Sequence, residues 1–142
     1  MHQEIIDHHG QQILETVGQA DYYNRWILNL IKPHLHGEII EIGAGIGNFT
    51  KLLKNYKVTA ADYNLQYLSK LKAPTFQFDL TSTSTPRALL NKFETAICFN
   101  VLEHIAEQNQ ALQNIKNTLR PGGRLIILVP AFQFAFGKLD RN

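Results

Sequence analysis

Three glycines at alternate positions, Gly43, Gly45 and Gly47, follow the apolar run Ile39–Ile42 and its internal acid, Glu41. A strand that ends this way breaks into a tight turn, and the missing side chains let a ligand touch the backbone. Asn48-Phe49-Thr50 resumes a helix-like pattern, and the free N–H groups at a helix start favour anionic or polar ligands. At the carboxyl end of a strand in an open α/β sheet, nucleotide-like cofactors bind at such a junction. Spacing narrows the choice. A dinucleotide fingerprint places its third glycine three residues after the second, and Asn48 stands at that position here.

Other polar residues with chemical capacity fall at the ends of later apolar runs. Asp62 comes nineteen residues after Gly43 and closes the run Val58–Ala61. A carboxylate there accepts hydrogen bonds from both hydroxyls of a ribose, with either kind of cofactor. Asp79 closes Thr75–Phe78, and Asn100-Val101-Leu102-Glu103-His104 follows Ala96–Phe99. His104 is the candidate general base, because imidazole titrates near neutral pH. Each also has a plain structural reading: Glu41 and Asp79 as caps, Asp62 as a turn residue, His104 as a helix-start residue bonding backbone. Glu103 and His104 are adjacent and do not face one site, so no metal centre is expected. His8-His9 reads as a solvated pair.

In chain order, Glu41-x-Gly43-x-Gly45-x-Gly47, Asp62, Asp79, Asn100–Ile105 and Arg120-Pro121-Gly122-Gly123-Arg124-Leu125 resemble the motifs of the class I S-adenosylmethionine-dependent methyltransferases. The resemblance runs from about Asp21 to Val129. It implies that Glu41 orients the glycine loop, and that Gly43, Ala44, Gly45 and Gly47 bring backbone against the ribose and methionine parts of S-adenosyl-L-methionine. Asp62 would hold the ribose and Tyr63 would pack on the adenine face. Asp79 would accept from the adenine amino group, with the Leu80 N–H beside the ring. Asn100 and Val101 would line the methionine side. The proline-glycine-glycine stretch is structural, and Tyr22 or Trp26 on the preceding helix is a further contact, although Trp26 reads better as core.

The implied reaction is methyl transfer to a small-molecule acceptor. A methyl on a sulfonium is already activated, so alignment and exclusion of water are the main tasks. Two alternatives stand beside it: an incomplete, non-catalytic cofactor-binding or interaction module, and a dinucleotide-binding oxidoreductase domain, which Asn48 disfavours.

The elements that must position these residues alternate in type. Helices are expected at Ile5–Val17 and Asp21–Leu35, the latter with Trp26, Ile27, Leu30 and Ile31 on one face. Strands at Ile39–Ile42, Val58–Ala61, Thr75–Phe78, Ala96–Phe99 and Arg124–Val129 are interleaved with helices over Gly47–Asn55, Leu65–Leu71, Arg87–Leu90 and Ala106–Leu119. The last of these helices turns Leu112, Ile115 and Leu119 inward, and Pro121-Gly122-Gly123 makes a turn. Continuous apolar strands alternating with helices imply an α/β, three-layer Rossmann-like sandwich with a parallel sheet. The resemblance gives the strand order 3-2-1-4-5.

At 142 residues the chain is one domain: N-terminal helices over 1–36, a cofactor-binding core over 37–130 and a C-terminal segment over 131–142. A formal charge of +2 with scattered Lys and Arg gives no case for nucleic acid. The lone Cys98 allows no internal disulfide, no run reaches membrane-span length, and a cytoplasmic enzyme is expected. The resembled fold continues beyond the fifth strand with a helix and two further strands, so either a natural minimal version or an N-terminal part of a longer enzyme is expected. The fifth strand would then be an exposed apolar edge, from which a homodimer or an association-prone monomer is expected.

Overall fold

Parallel strands covered on both faces bury successive side chains in opposite directions, and the apolar runs here divide in that manner. A computed structural model describes residues 21–131. The helix expected over 5–17, the His8-His9 pair and the segment 132–142 lie outside the described residues. The elements are α1 (Asp21–Ile31), β1 (Glu38–Ile42), α2 (Asn48–Leu52), β2 (Lys57–Asp62), α3 (Leu65–Leu68), β3 (Thr75–Gln77), β4 (Phe93–Phe99), α4 (Gln108–Thr118) and β5 (Leu119–Leu128). Single 3-10 turns occupy Lys32–His34, Arg87–Leu89 and Leu102–His104. The Arg87–Leu90 helix expected from sequence is thus a single turn, and the helices after β1 and β2 stop earlier than expected.

All four strand pairings are parallel, and the sheet order is β3-β2-β1-β4-β5. Ile40, Ala96 and Cys98 face one layer, with Phe93, Leu89 and, from α4, Ala111 and Ile115. Their strand neighbours Ile39 and Ile97 face the other, against Ile27, Leu28 and Ile31 of α1 and Leu53 beyond α2. The middle strands are buried on both sides, and β3 and β5 are the sheet edges among the described residues. Ile127 in β5 and Val129 beyond it are exposed.

Three packing expectations change. Helix α1 buries Asn24, Ile27, Leu28 and Ile31, whereas Trp26 is 50% and Leu30 54% exposed. Trp26 and Leu28 flank the Ile27–Ile31 line on opposite sides, so only one of them can face the sheet. Helix α4 buries Ala111, Asn114, Ile115 and Thr118 and leaves Leu112 outside, while Leu119 already belongs to β5. Two polar residues on the inward stripe hid it from an apolar count. Finally, Pro121-Gly122-Gly123 lies inside β5 as a bulge and does not precede it: Phe93 pairs with Leu119, and the next pair is Thr95 with Arg124. Gly122 takes φ +79°, a left-handed conformation suited to glycine.

Candidate cofactor site at the carboxyl ends of the strands

The glycine loop is held by the second strand. Gly43 and Ala44 both donate their N–H to the Ala61 carbonyl, at 2.8 and 3.0 Å, and Gly47 N–H donates to the Ala44 carbonyl at 2.8 Å. Gly43, Gly45 and Gly47 all have positive φ, between +53° and +80°. At Gly43 a Cβ would run into the Val101 side chain, so the first turn can lie against the segment after β4 only because it lacks one. This contact joins two of the expected site segments, the loop after β1 and Asn100–Val101.

Asp62 terminates β2, is 6% exposed, and uses both carboxylate oxygens locally. Oδ2 accepts from Gly45 N–H and Oδ1 from Asn64 N–H, each at 2.9 Å. It therefore fixes the glycine loop as well as standing where a ribose is expected. Each oxygen has a second lone pair, so this bonding leaves acceptor capacity. Tyr63 next to it is 69% exposed, and its carbonyl accepts from Gln77 Nε2 at 3.0 Å.

Glu41 is buried and does not open on the rim. Its Oε2 accepts from Thr50 Oγ1, and Thr50 N–H donates to it as well, so the carboxyl ties the end of β1 to the start of α2. Burial pushes its pKa up to about 7, the neighbouring charge of Asp62 adds to the rise, and the Thr50 hydrogen bonds oppose it. The capping role weighed for Glu41 from sequence is thus what its contacts express.

On the far side of β2, the exposed Asp79 accepts from Thr81 N–H and Oγ1 at 2.8 Å, and Leu80 is buried. The organiser of this loop is Asn114 of α4, which sequence reasoning missed. Its Nδ2 donates to the carbonyls of Leu80 (2.8 Å) and Ser82 (2.7 Å), and its Oδ1 accepts from Thr85 Oγ1 at 2.9 Å. An asparagine at the inward position between Ala111 and Ile115 is the signal that would have found it.

After β4, Asn100 is exposed with φ +53°, and its N–H donates to the Leu128 carbonyl at 2.8 Å. His104 is exposed, and its backbone N–H donates to the Val101 carbonyl. Glu103 Oε2 is buried and has no hydrogen-bond partner among the described residues. Burial, helped by the charge of Glu103, pushes the Cys98 thiol up to about 12, so this cysteine is a neutral core residue. No group of three or more potential metal ligands occurs among the described residues.

The residues fit a nucleoside-type ligand. Two aspartates and three left-handed glycines meet on one rim, at the carboxyl ends of neighbouring strands, with Asn100–Val101 closing it. A family model described as a methyltransferase domain matches residues 14–140. An uncharacterised protein of Methanocaldococcus jannaschii is 30% identical over 91 residues, which cover 64% of this chain and 40% of the relative. Part of the reducing polyketide synthase Preu2 of Preussia isomera is 29% identical over 109 residues, covering 66% of this chain and 5% of that protein. Among solved structures, the trans-methyltransferase CalH in complex with SAH superposes with a TM-score of 0.63 at 21% identity, covering 81% of this chain and 40% of that one. The chain thus spans less than half the length of each of these proteins. With a family match over most of its length and the sheet order 3-2-1-4-5, the chain belongs to the methyltransferase-domain family and has the class I S-adenosylmethionine-dependent methyltransferase fold.

Proposed function

We propose that the chain binds S-adenosyl-L-methionine on the rim at the carboxyl ends of its strands and transfers the methyl group to a small-molecule acceptor. The observation that carries this reading is the convergence there of the glycine loop, Asp62, Asp79–Leu80 and Asn100–Val101. Asp62 would hold the ribose hydroxyls and Asp79 the adenine amino group, with the Leu80 N–H beside the ring. The exposed Tyr63 ring would cover the adenine, and the backbone of Gly43, Ala44, Gly45 and Gly47 would meet the ribose and methionine portion. The bound cofactor supplies a methyl activated on a sulfonium; the chain's own residues orient it and exclude water. His104, exposed on the turn after β4, is the candidate to accept a proton from the acceptor.

A small acceptor is supported by charge. Asp62, Asp79 and Glu103 stand at this end of the sheet, and the lysines of the central segments gather at the other. A polyanionic acceptor would meet repulsion here. A non-catalytic cofactor-binding module is the second reading. An acceptor screen with methyl-labelled S-adenosylmethionine separates the two, and labelled product from any small molecule decides for the enzyme. In that case His104→Ala should lower turnover by about 10²-fold with cofactor affinity unchanged. Full turnover in that variant would remove His104 from the chemistry, and cofactor binding with no labelled product would select the module.

A further inference from the structure

At the opposite, amino-terminal end of the sheet, a cleft of about 920 Å³ opens between α2, the start of β2 and the segment before β3. Six lysines line it: Lys51, Lys54, Lys57, Lys70, Lys72 and Lys92. The whole chain has nine lysines, and Glu38 is the one acid in the lining, although the chain as a whole carries 14 basic and 12 acidic residues. The six come from four separate segments, so the fold gathers them and no sequence run does. None makes an ion pair among the described residues; Lys92 lies over the Phe93 ring, 5.5 Å from its centroid. Beneath this rim the cleft has an apolar wall that includes Leu53, Val58, Leu71 and Pro74.

We propose that this cleft is a second ligand site, and that its ligand is a small molecule bearing two or more phosphate groups. Gathering six like charges around a single carboxylate costs stability through repulsion, and a bound polyanion reverses the sign of that term. The concavity and volume fall in the range of small-molecule sites, which combine apolar walls with a few charged groups. Lysine is a point-charge binder of phosphate, whereas arginine forks, absent from this lining, suit paired carboxylate oxygens. A flat protein partner fits poorly, since lysine is depleted in protein–protein interfaces. A single strand of nucleic acid would need exposed aromatic rings for stacking, and Tyr56, the aromatic residue in the lining, is half-buried. Lys57 and Lys92 stand at the amino-terminal ends of β2 and β4, the length of β1 (about 17 Å at 3.3 Å per residue) from the glycine loop, whereas on the α2 side the wall reaches that loop through Leu71, which packs on Gly47.

Titration calorimetry of the chain with inorganic tripolyphosphate tests the site. Micromolar binding that weakens with added salt is expected, and saturation with S-adenosylhomocysteine should not displace it. The exposed double variant Lys57→Glu/Lys72→Glu should raise the dissociation constant by about tenfold or more, with a thermal midpoint no lower than that of the wild type as the folding control. No binding, unchanged affinity in the double variant, or displacement by S-adenosylhomocysteine would overturn the proposal. So would tighter binding of a single-stranded oligonucleotide than of tripolyphosphate, which would make this face a nucleic-acid surface.

Discussion

Single residues at this site carry more than one task, and their environments show which dominates. Asp62 was legible from its place at a strand end, but not that both oxygens hold backbone N–H groups of the loops on either side. Glu41 was legible as the acid before the glycines, yet its neighbour Thr50, nine positions on, decides what it does. With a folded-state pKa near 7 against the ordinary 4.5, Glu41 stays protonated in the fold where the unfolded chain has ionised. The sign follows: its contribution is fully present below pH 4.5 and is lost as pH rises through about 7. Replacing it with an uncharged isostere should remove that loss. We expect Glu41→Gln to match wild type near pH 4.5 and to exceed it above pH 7, by up to about 3 kcal/mol, in thermal melts followed across pH. A constant difference between the two proteins across that range would show that Glu41 is ionised throughout.

Strands were read more reliably from their apolar runs than helix faces were from their period. The five strands were visible as apolar runs bounded by glycine, proline and aspartate, of which β1, β2 and β4 are buried and β3 and β5 form the edges. The start of β4 was not, since Glu94 and Thr95 look like loop residues. Their polar groups are spent inside: Thr95 Oγ1 bonds both the N–H and the carbonyl of His36, and Glu94 Oε2 accepts from Glu38 N–H at 2.6 Å. Helix α4 misleads in the same way, because Asn114 occupies its inward stripe to hold the Asp79–Leu80 loop. Asn114→Leu would leave the Leu80 and Ser82 carbonyls and the Thr85 hydroxyl without this partner. The expected cost is about 2–4 kcal/mol in chemical denaturation, and the variant should also bind S-adenosylhomocysteine more weakly. A change below about 0.5 kcal/mol would mean that the loop is held by something else.

For the whole molecule, topology does what sequence spacing alone could not display. Right-handed crossovers and the 3-2-1-4-5 order bring the carboxyl ends of four strands together, so the loops that follow them share one rim. The same geometry collects dispersed lysines at the other end, where reading along the chain found only scattered charges. One end of the sheet is thus suited to an uncharged or cationic nucleoside ligand and the other to an anion. The most direct measurement is titration calorimetry of the chain with S-adenosylhomocysteine, beside Asp62→Ala and with reduced nicotinamide dinucleotide as control. Micromolar binding of S-adenosylhomocysteine alone, weakened by about 2 kcal/mol or roughly thirtyfold in Asp62→Ala, is predicted. No binding of S-adenosylhomocysteine, equal affinity in the variant, or binding of the nicotinamide dinucleotide in its place would contradict the assignment of this rim as the cofactor site.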